Sequence, residues 1–331
     1  VSILHAGSEA EAFDVQGLVV NEATGFDADF ARGSFTPRGS HATNFARIPL
    51  APAVTDVWLH ARVSFASTGG TVNSHPLIKF RSTSGQDVLR LNGFGGVSNP
   101  SVYDLEYWDG AAWQKIGTSW TIASPSTLDF HCKIADTGGV FAFYVNGSLI
   151  AELTGDTLLF AGADVAEVHL ASGSTDDSTS ADKNYTEVVV ADESTIGMRV
   201  ATLAPTAAGT NTAWTGDETD VDEVVTDDVD FISSATADEV ETYAASDLSA
   251  AAATFTPRAV FVAARAKRGA TGPQSLQLAV RSGTTEDFSE TKALTEAFAH
   301  YRNGWATNPD TAAAWTPAEI DALEFGVKSI T

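Results

Sequence analysis

The sequence predicts an all-β protein built as two β-sandwich, jelly-roll-like domains with little helix. Three observations carry that expectation: many short segments alternate apolar with polar residues, the links between them are rich in Gly, Ser, Asn and Asp, and a helical period is almost absent. A chain of 331 residues exceeds what one ordinary hydrophobic core organises, which points to two domains.

Val57 to Phe65 sets Val57, Leu59, Ala61, Val63 and Phe65 on one face and Trp58, His60, Arg62 and Ser64 on the other. Leu128 to Ile134 does the same, with Leu128, Phe130, Cys132 and Ile134 as the buried face and Asp129, His131 and Lys133 opposite. Val140 to Val145 runs into Asn146-Gly147 and resumes at Leu149 to Leu153, and Asn-Gly supplies the positive φ angles of a two-residue hairpin turn. Further strands are expected at Leu77 to Arg81, Val88 to Asn92, Tyr103 to Trp108, Trp113 to Ile116, Val165 to Leu170 and Tyr185 to Ala191. The glycine run Gly93 to Gly96 is expected to turn the chain between strands.

After Asp192 the texture changes. Ala, Thr, Gly and Pro dominate Ala201 to Thr212, and an acidic stretch follows from Asp217 to Asp230. The domains are therefore placed at 1–195 and 196–331, the second smaller and β-rich. Its strands are expected at Ala259 to Ala266, Ser275 to Arg281 and Leu323 to Ile330, with Phe231, Ile232 and Tyr243 in shorter ones. One short helix follows from chemistry: Thr316 caps it, Pro317 fits its first position and Glu319 reaches back.

Charge and composition exclude several functions. Lys and Arg number 19 against 43 Asp and Glu, a formal charge of −24, so a phosphate-binding surface for nucleic acid is not expected. One cysteine, Cys132, rules out an internal disulfide framework and a cysteine-rich zinc site. No apolar run reaches the ~18 residues of a membrane span, and Val1 to Glu11 lacks the basic and apolar regions of a signal peptide. The expectation is a chain made in the cytoplasm with no membrane insertion. The histidines His5, His41, His60, His75, His131, His169 and His300 are scattered without metal-pair spacing. Two acidic groups, Asp217, Asp220, Asp222, Asp227, Asp228 and Asp230, and Asp176, Asp177 and Asp182, have oxygen ligands for calcium but no EF-hand spacing. No cofactor and no metal are assigned.

Over roughly residues 10 to 195 the pattern resembles the concanavalin A-like lectin and glucanase fold, in which extended segments such as Leu128 to Asp136 precede a hairpin like Val140 to Leu153. The stretches YTEVVVADESTIGMRVATLAPTAAGTNTAWTGD (185–217) and NPDTAAAWTPAEIDALEFGVKSI (308–330) resemble segments that recur in phage and prophage structural proteins, head or tail appendages. That resemblance implies a non-enzymatic virion component on the particle surface, a fibre, spike or decoration whose partners are capsid or tail subunits. It carries over no catalytic residue.

Two other functions stay open. Glucanases of the family it resembles carry an E-x-D-x-E or E-x-D-x-x-E pattern, and here Asp104 and Glu106 match its latter half while Val102 stands where the leading Glu belongs, so a polysaccharide hydrolase is a distant alternative. The nearer alternative is a host-glycan adhesin. Sugars stack on aromatic rings, and Trp108 and Trp113 flank Asp109-Gly110, a hairpin turn that would project both indoles together as a ligand site. Phage appendages are commonly trimers, so a homo-oligomer is expected, formed through sandwich faces because no heptad run exists. The negative charge predicts weaker association at low salt. Mass measurement in solution should show an oligomer at high salt that loosens at low salt; a monomer under both conditions would overturn the expectation.

Overall fold

The computed structural model describes residues 2–22, 24–38, 42–65, 72–95, 102–171, 183–225 and 228–331. The chain divides into two compact units, one of Val1–Phe26 with Gly33–Val200 and one of Asp27–Arg32 with Ala201–Thr331. Both are all-β sandwiches, as the alternation predicts.

In the first unit the strands are β1 (Ile3–Gly7), β2 (Asp14–Gln16), β3 (Val19–Glu22), β4 (Ser34–Pro37), β5 (Phe45–Val54), β6 (Asp56–Phe65), β7 (Val72–Arg81), β8 (Asp87–Gly95), β9 (Val102–Trp108), β10 (Trp113–Thr121), β11 (Ser126–Lys133), β12 (Gly139–Val145), β13 (Ser148–Gly155), β14 (Val165–Ala171) and β15 (Lys183–Ala191). One sheet runs β13-β12-β11-β6-β15-β4-β3 with β1 beside β15, and the other runs β10-β9-β8-β7-β14-β5-β2. All pairings are antiparallel.

The core forms where the inner faces meet. Phe80 of the second sheet packs on Phe130 of the first at 5.9 Å between ring centroids, and Phe130 stacks on Phe143 at 4.7 Å. Tyr185 is fully buried, and its hydroxyl donates to the carbonyl of Ala171 in the opposite sheet at 2.7 Å. Cys132 is buried in the same core, where desolvation pushes its thiol pKa well up and leaves it unreactive. The β12–β13 turn has the expected two-residue form: Val145 pairs with Ser148, and Asn146 and Gly147 sit at φ +50° and +77°.

One expectation for this unit is corrected. Gly93 and Gly95 do not turn the chain; they lie inside β8, where Gly93 pairs with His75 on one side and Tyr103 on the other. Ladder pairing with β7 and β9 holds Gly93 extended, and pairing with β7 holds Gly95. Gly96 lies outside the described residues. On the outer face of the first sheet the chain covers part of its own surface. Asp129 is fully buried, because the segment 193–200 lies against it: Thr195 donates to Asp129 at 2.8 Å, and Arg199 clasps Glu187.

Glu187 sits at a bulge in β15, at φ +49° and with no exposure, between Arg62 at 3.0 Å and Arg199. A left-handed glutamate in a strand is strained, and the two guanidiniums hold it there.

The second unit has β16 (Pro205–Thr212), β17 (Val240–Ala245), β18 (Val260–Ala266), β19 (Ser275–Ser282), β20 (Thr285–Phe288), β21 (Lys292–Ala293), β22 (Ala299–Trp305) and β23 (Glu324–Ile330). A sheet ordered β16-β17-β23-β19-β20, with β21 beside β19, faces a β18–β22 ribbon over a core that includes Trp305, Trp315, Leu278 and Val280. The buried Trp315 indole donates to the Trp305 carbonyl at 3.0 Å. Asp27–Arg32 joins this unit through Thr202, which donates its N–H to Phe30 and accepts from the Arg32 N–H through its hydroxyl. Helix α1 (Pro317–Asp321) carries the capping box of Thr316 and Glu319 that the sequence predicts. Phe231 and Ile232 lie in no strand, and Phe231 is exposed. Phe231 instead meets Phe298 edge to face at 6.1 Å, with the Lys267 ammonium 5.9 Å from its ring.

Replacing Glu187 by Leu leaves Arg62 and Arg199 facing each other without their carboxylate. The expected cost is about 3–5 kcal/mol, read as a lower urea midpoint, and a loss under about 1 kcal/mol would show that the clasp does not hold segment 193–200 in place.

Candidate functional site

The outer face of the second sheet in the first unit is where polar chemistry gathers. Residues directly opposite in a ladder share a face. The register Asp14–Arg47–His169–Lys79–Arg90–Glu106–Lys115 therefore forms one row across all seven strands. Residues two positions away along each strand share that face, which adds Glu167, Arg81, Asn92, Asp104, Trp108 and Trp113. The alternation that buries Ile78, Phe80, Leu89, Leu91 and Leu105 inward pushes these outward.

Most of the charges on this face are paired. Arg47 meets Asp14 at 3.2 Å and Glu167 at 3.6 Å, and Arg81 meets Asp87 at 2.8 Å and Glu167 at 3.6 Å. Arg90 meets Glu106 at 2.7 Å, and Lys115 meets Asp104 at 2.8 Å. Asp104 and Glu106 thus lie on one face, as their spacing predicts, but each is engaged by a cation. Their neighbour toward the chain start is Val102, so no paired carboxylates of a glucanase centre form here.

Trp108 and Trp113 come together as a cross-strand pair, edge to face at 5.7 Å. The turn beneath them is built by Asp109, whose carboxylate accepts the N–H groups of Ala112 and Ala111 and the Gln114 amide, which hold its pKa below the usual carboxylate range. The Arg90 guanidinium lies over Trp113 at 3.6 Å, so one indole face is already covered and the exposed remainder faces a groove.

That groove has a volume of about 550 Å³ and is lined by Lys79, Arg81, Gln86, Asp87, Arg90 and Trp113, with Ala42, Pro76 and Gly85 at its margins. Its wall is shaped by the β7–β8 turn, where Gly85 at φ +79° lets the Arg81 guanidinium reach its carbonyl at 2.5 Å. Desolvation lowers the Lys79 ammonium's pKa, with Asp87 pulling the other way. Sequence reasoning singled out Trp113 but missed Lys79, Arg81 and Arg90. Their only signal was polar residues alternating with Ile78, Phe80, Leu89 and Leu91, which any half-buried strand shows.

Beside Lys79 in the row, His169 is buried and its ring stacks on Phe45 at 4.2 Å. Burial, reinforced by Lys79, Arg81 and Arg47, lowers its pKa to about 3, so the imidazole is neutral near pH 7.

Elsewhere, His60, Asp129 and Thr195 form a buried chain. Asp129 is its centre: the Thr195 hydroxyl donates to the carboxylate and not to the imidazole, so no nucleophile is activated. Asp217 and Asp220 cap a short 3-10 turn at Glu218–Asp220, and Asp228 pairs with Arg265. Asp227 and the group Asp176, Asp177 and Asp182 lie outside the described residues, as does His41. Among the described residues no cluster of three metal-ligating side chains forms, and no helix is long and apolar enough to cross a membrane.

The fold and groove define an all-β jelly-roll chain with a polar, tryptophan-edged cleft on one sheet. No family model and no curated protein sequence matches it. Solved structures with a similar fold include a cellulose induced protein, Cip1, at 16% identity and TM-score 0.41, covering 60% of this chain and 94% of that one. The ligand-binding domain of botulinum neurotoxin serotype D in complex with N-acetylneuraminic acid is similar at 9% identity and TM-score 0.40, over 58% of this chain and 48% of that one. A Trypanosoma rangeli sialidase in complex with the inhibitor DANA is similar at 17% identity and TM-score 0.37, over 57% of this chain and 30% of that one. The likeness spans under half of the neurotoxin structure and under a third of the sialidase, and it concerns the fold alone. It corrects one expectation: with sialidases among the similar structures, the reading of the chain as non-enzymatic does not stand.

The neutral imidazole of His169 makes stability depend on pH. The unfolded chain's histidine takes up its proton near pH 6.5 and the folded one only near 3, so its contribution is full above about pH 6.5 and drains as pH falls toward 3. The slope is at most about 1.4 kcal/mol per pH unit. Between about pH 7 and pH 4 the wild-type melting temperature should fall more steeply than that of His169→Gln; parallel curves would refute the assignment.

Proposed function

We propose that the first unit binds carbohydrate in the groove beside Trp113. The observation that carries this reading is the makeup of the groove: an indole edge next to Arg81, Arg90, Gln86 and Asp87. Such a set offers an apolar plane for a sugar ring and fixed donors and acceptors for its hydroxyls. Its volume is that of a small-ligand cleft. Trp113 is the contact residue in this reading, and Trp108, set against it edge-on, braces it. Because Arg90 covers one face of Trp113, a ring would use the open rim and face of that indole.

Display on a phage particle, where multivalency would strengthen weak sugar binding, rests on the sequence resemblance alone. It describes a setting for the module and adds nothing to the chemistry of the groove.

A glycan array probed with the full chain should give binding above background, and Trp113→Ala should weaken it at least about tenfold. Trp108→Ala should weaken it less. An empty array, or an affinity unchanged in Trp113→Ala, would overturn the reading.

A further inference from the structure

We infer that the groove takes a carboxylate-bearing sugar and that Lys79 reads the carboxylate; the inference rests on the carbohydrate reading above and names its substrate class. Lys79 stands at the middle of the row, between His169 and Arg90, and lines the groove. It is 9% exposed, yet it is the exception to the pairing on this face. Arg47, Arg81, Arg90 and Lys115 each have a carboxylate within 3.6 Å. Among the described residues the Lys79 ammonium makes no ion pair and no hydrogen bond, and it lies 5.9 Å from the Phe45 ring centroid.

The Lys79 side chain is largely desolvated while its ammonium, at the groove, has no direct protein partner, and the nearby carboxylates do not close in on it. Asp87 and Glu167 are both held by Arg81. Nor does His169, a neutral ring, supply an anion. Among the described residues no other anion reaches Lys79, and the groove leaves it open to a partner from outside.

The charge balance selects its class. The groove lining itself carries Lys79, Arg81 and Arg90 against one carboxylate, Asp87; Glu106 and Glu167 offset these cations from outside the lining, so the surplus is local to the groove wall and small. A monoanion fits that surplus, whereas a phosphate dianion or a polyanionic strand would meet the −24 charge of the whole chain with one cation to offset it. A sugar whose ring lies along Trp113 and whose carboxylate reaches past Arg90 to Lys79 satisfies both ends of the groove. Uronic acids and sialic acids share this chemistry and differ in where the carboxylate sits on the ring.

The test is titration of the full chain with the methyl glycosides of glucuronic acid and of N-acetylneuraminic acid, each against its carboxyl-reduced counterpart. At least one acid should bind about tenfold or more tighter than its neutral twin, the worth of one charge-assisted hydrogen bond. In Lys79→Met that ratio should fall to within about threefold of unity. The wild-type ratio needs no variant and stands as its own measurement. Equal binding of acid and neutral twin, a preference that survives Lys79→Met, or no binding of any of the four sugars would overturn the inference. The carbohydrate reading is judged separately by the array and by Trp113→Ala, and it survives an acid-to-neutral ratio of one.

Discussion

Phe80, Phe130 and Phe143 pack against one another where the two sheets of the first unit meet, and the rest of the unit is arranged by the need to keep that contact dry. A strand has a period of two. Once Ile78 and Phe80 must face inward, Lys79 and Arg81 have no choice but to face outward, and the same holds for Arg90 between Leu89 and Leu91. A shift of one residue in any strand would exchange the two sets. The polar row is therefore held in register by burial on the opposite side of the sheet, without any contact of its own having to fix it.

That division of labour explains how a strongly acidic chain keeps a cationic stretch. Of its 19 basic residues, five lie on this one outer face: Arg47, Lys79, Arg81, Arg90 and Lys115. The arginines that reach across strands to Asp87, Glu106 and Glu167 make the face rigid as well as nearly neutral, since each guanidinium fork fixes two groups. Pairs of this kind add little stability when exposed. They do align the side chains around the groove before any ligand arrives, which lowers the ordering cost of binding. Lys79 is left outside that network by position: its row neighbours are an imidazole and an arginine.

Much of the fold was legible because its signals are local. Asn146-Gly147 sets its own hairpin, Asp109-Gly110 brings Trp108 and Trp113 together, and Thr316, Pro317 and Glu319 form a capped turn, each within a few residues. The row was not legible, because it depends on pairings of distant segments. Lys79 lies beside His169 because β7 pairs with β14, some ninety residues later, and Arg47 joins them because β5 takes the other edge of β14. Nothing in the spacing of Leu77 to Arg81 announces which strand will lie next to it. The covered outer face of the first sheet was hidden for the same reason: Asp129 alternates like a solvent-facing residue, and only the return of segment 193–200 buries it.

The two outer faces of this sandwich have consequently diverged in what their polar residues can do. On the first sheet the chain folds back over its own charges, so His60, Asp129 and Thr195 satisfy one another, and Glu187 is enclosed by Arg62 and Arg199. Those groups are used up in holding the fold, and no ligand can reach them without displacing the segment that covers them. On the second sheet, among the described residues, no strap of that kind lies over Lys79 and Trp113, and a groove remains. Ionisable residues of similar type are therefore enclosed on one face and left lining a groove on the other, and among the described residues what separates them is whether the chain itself supplies the covering layer.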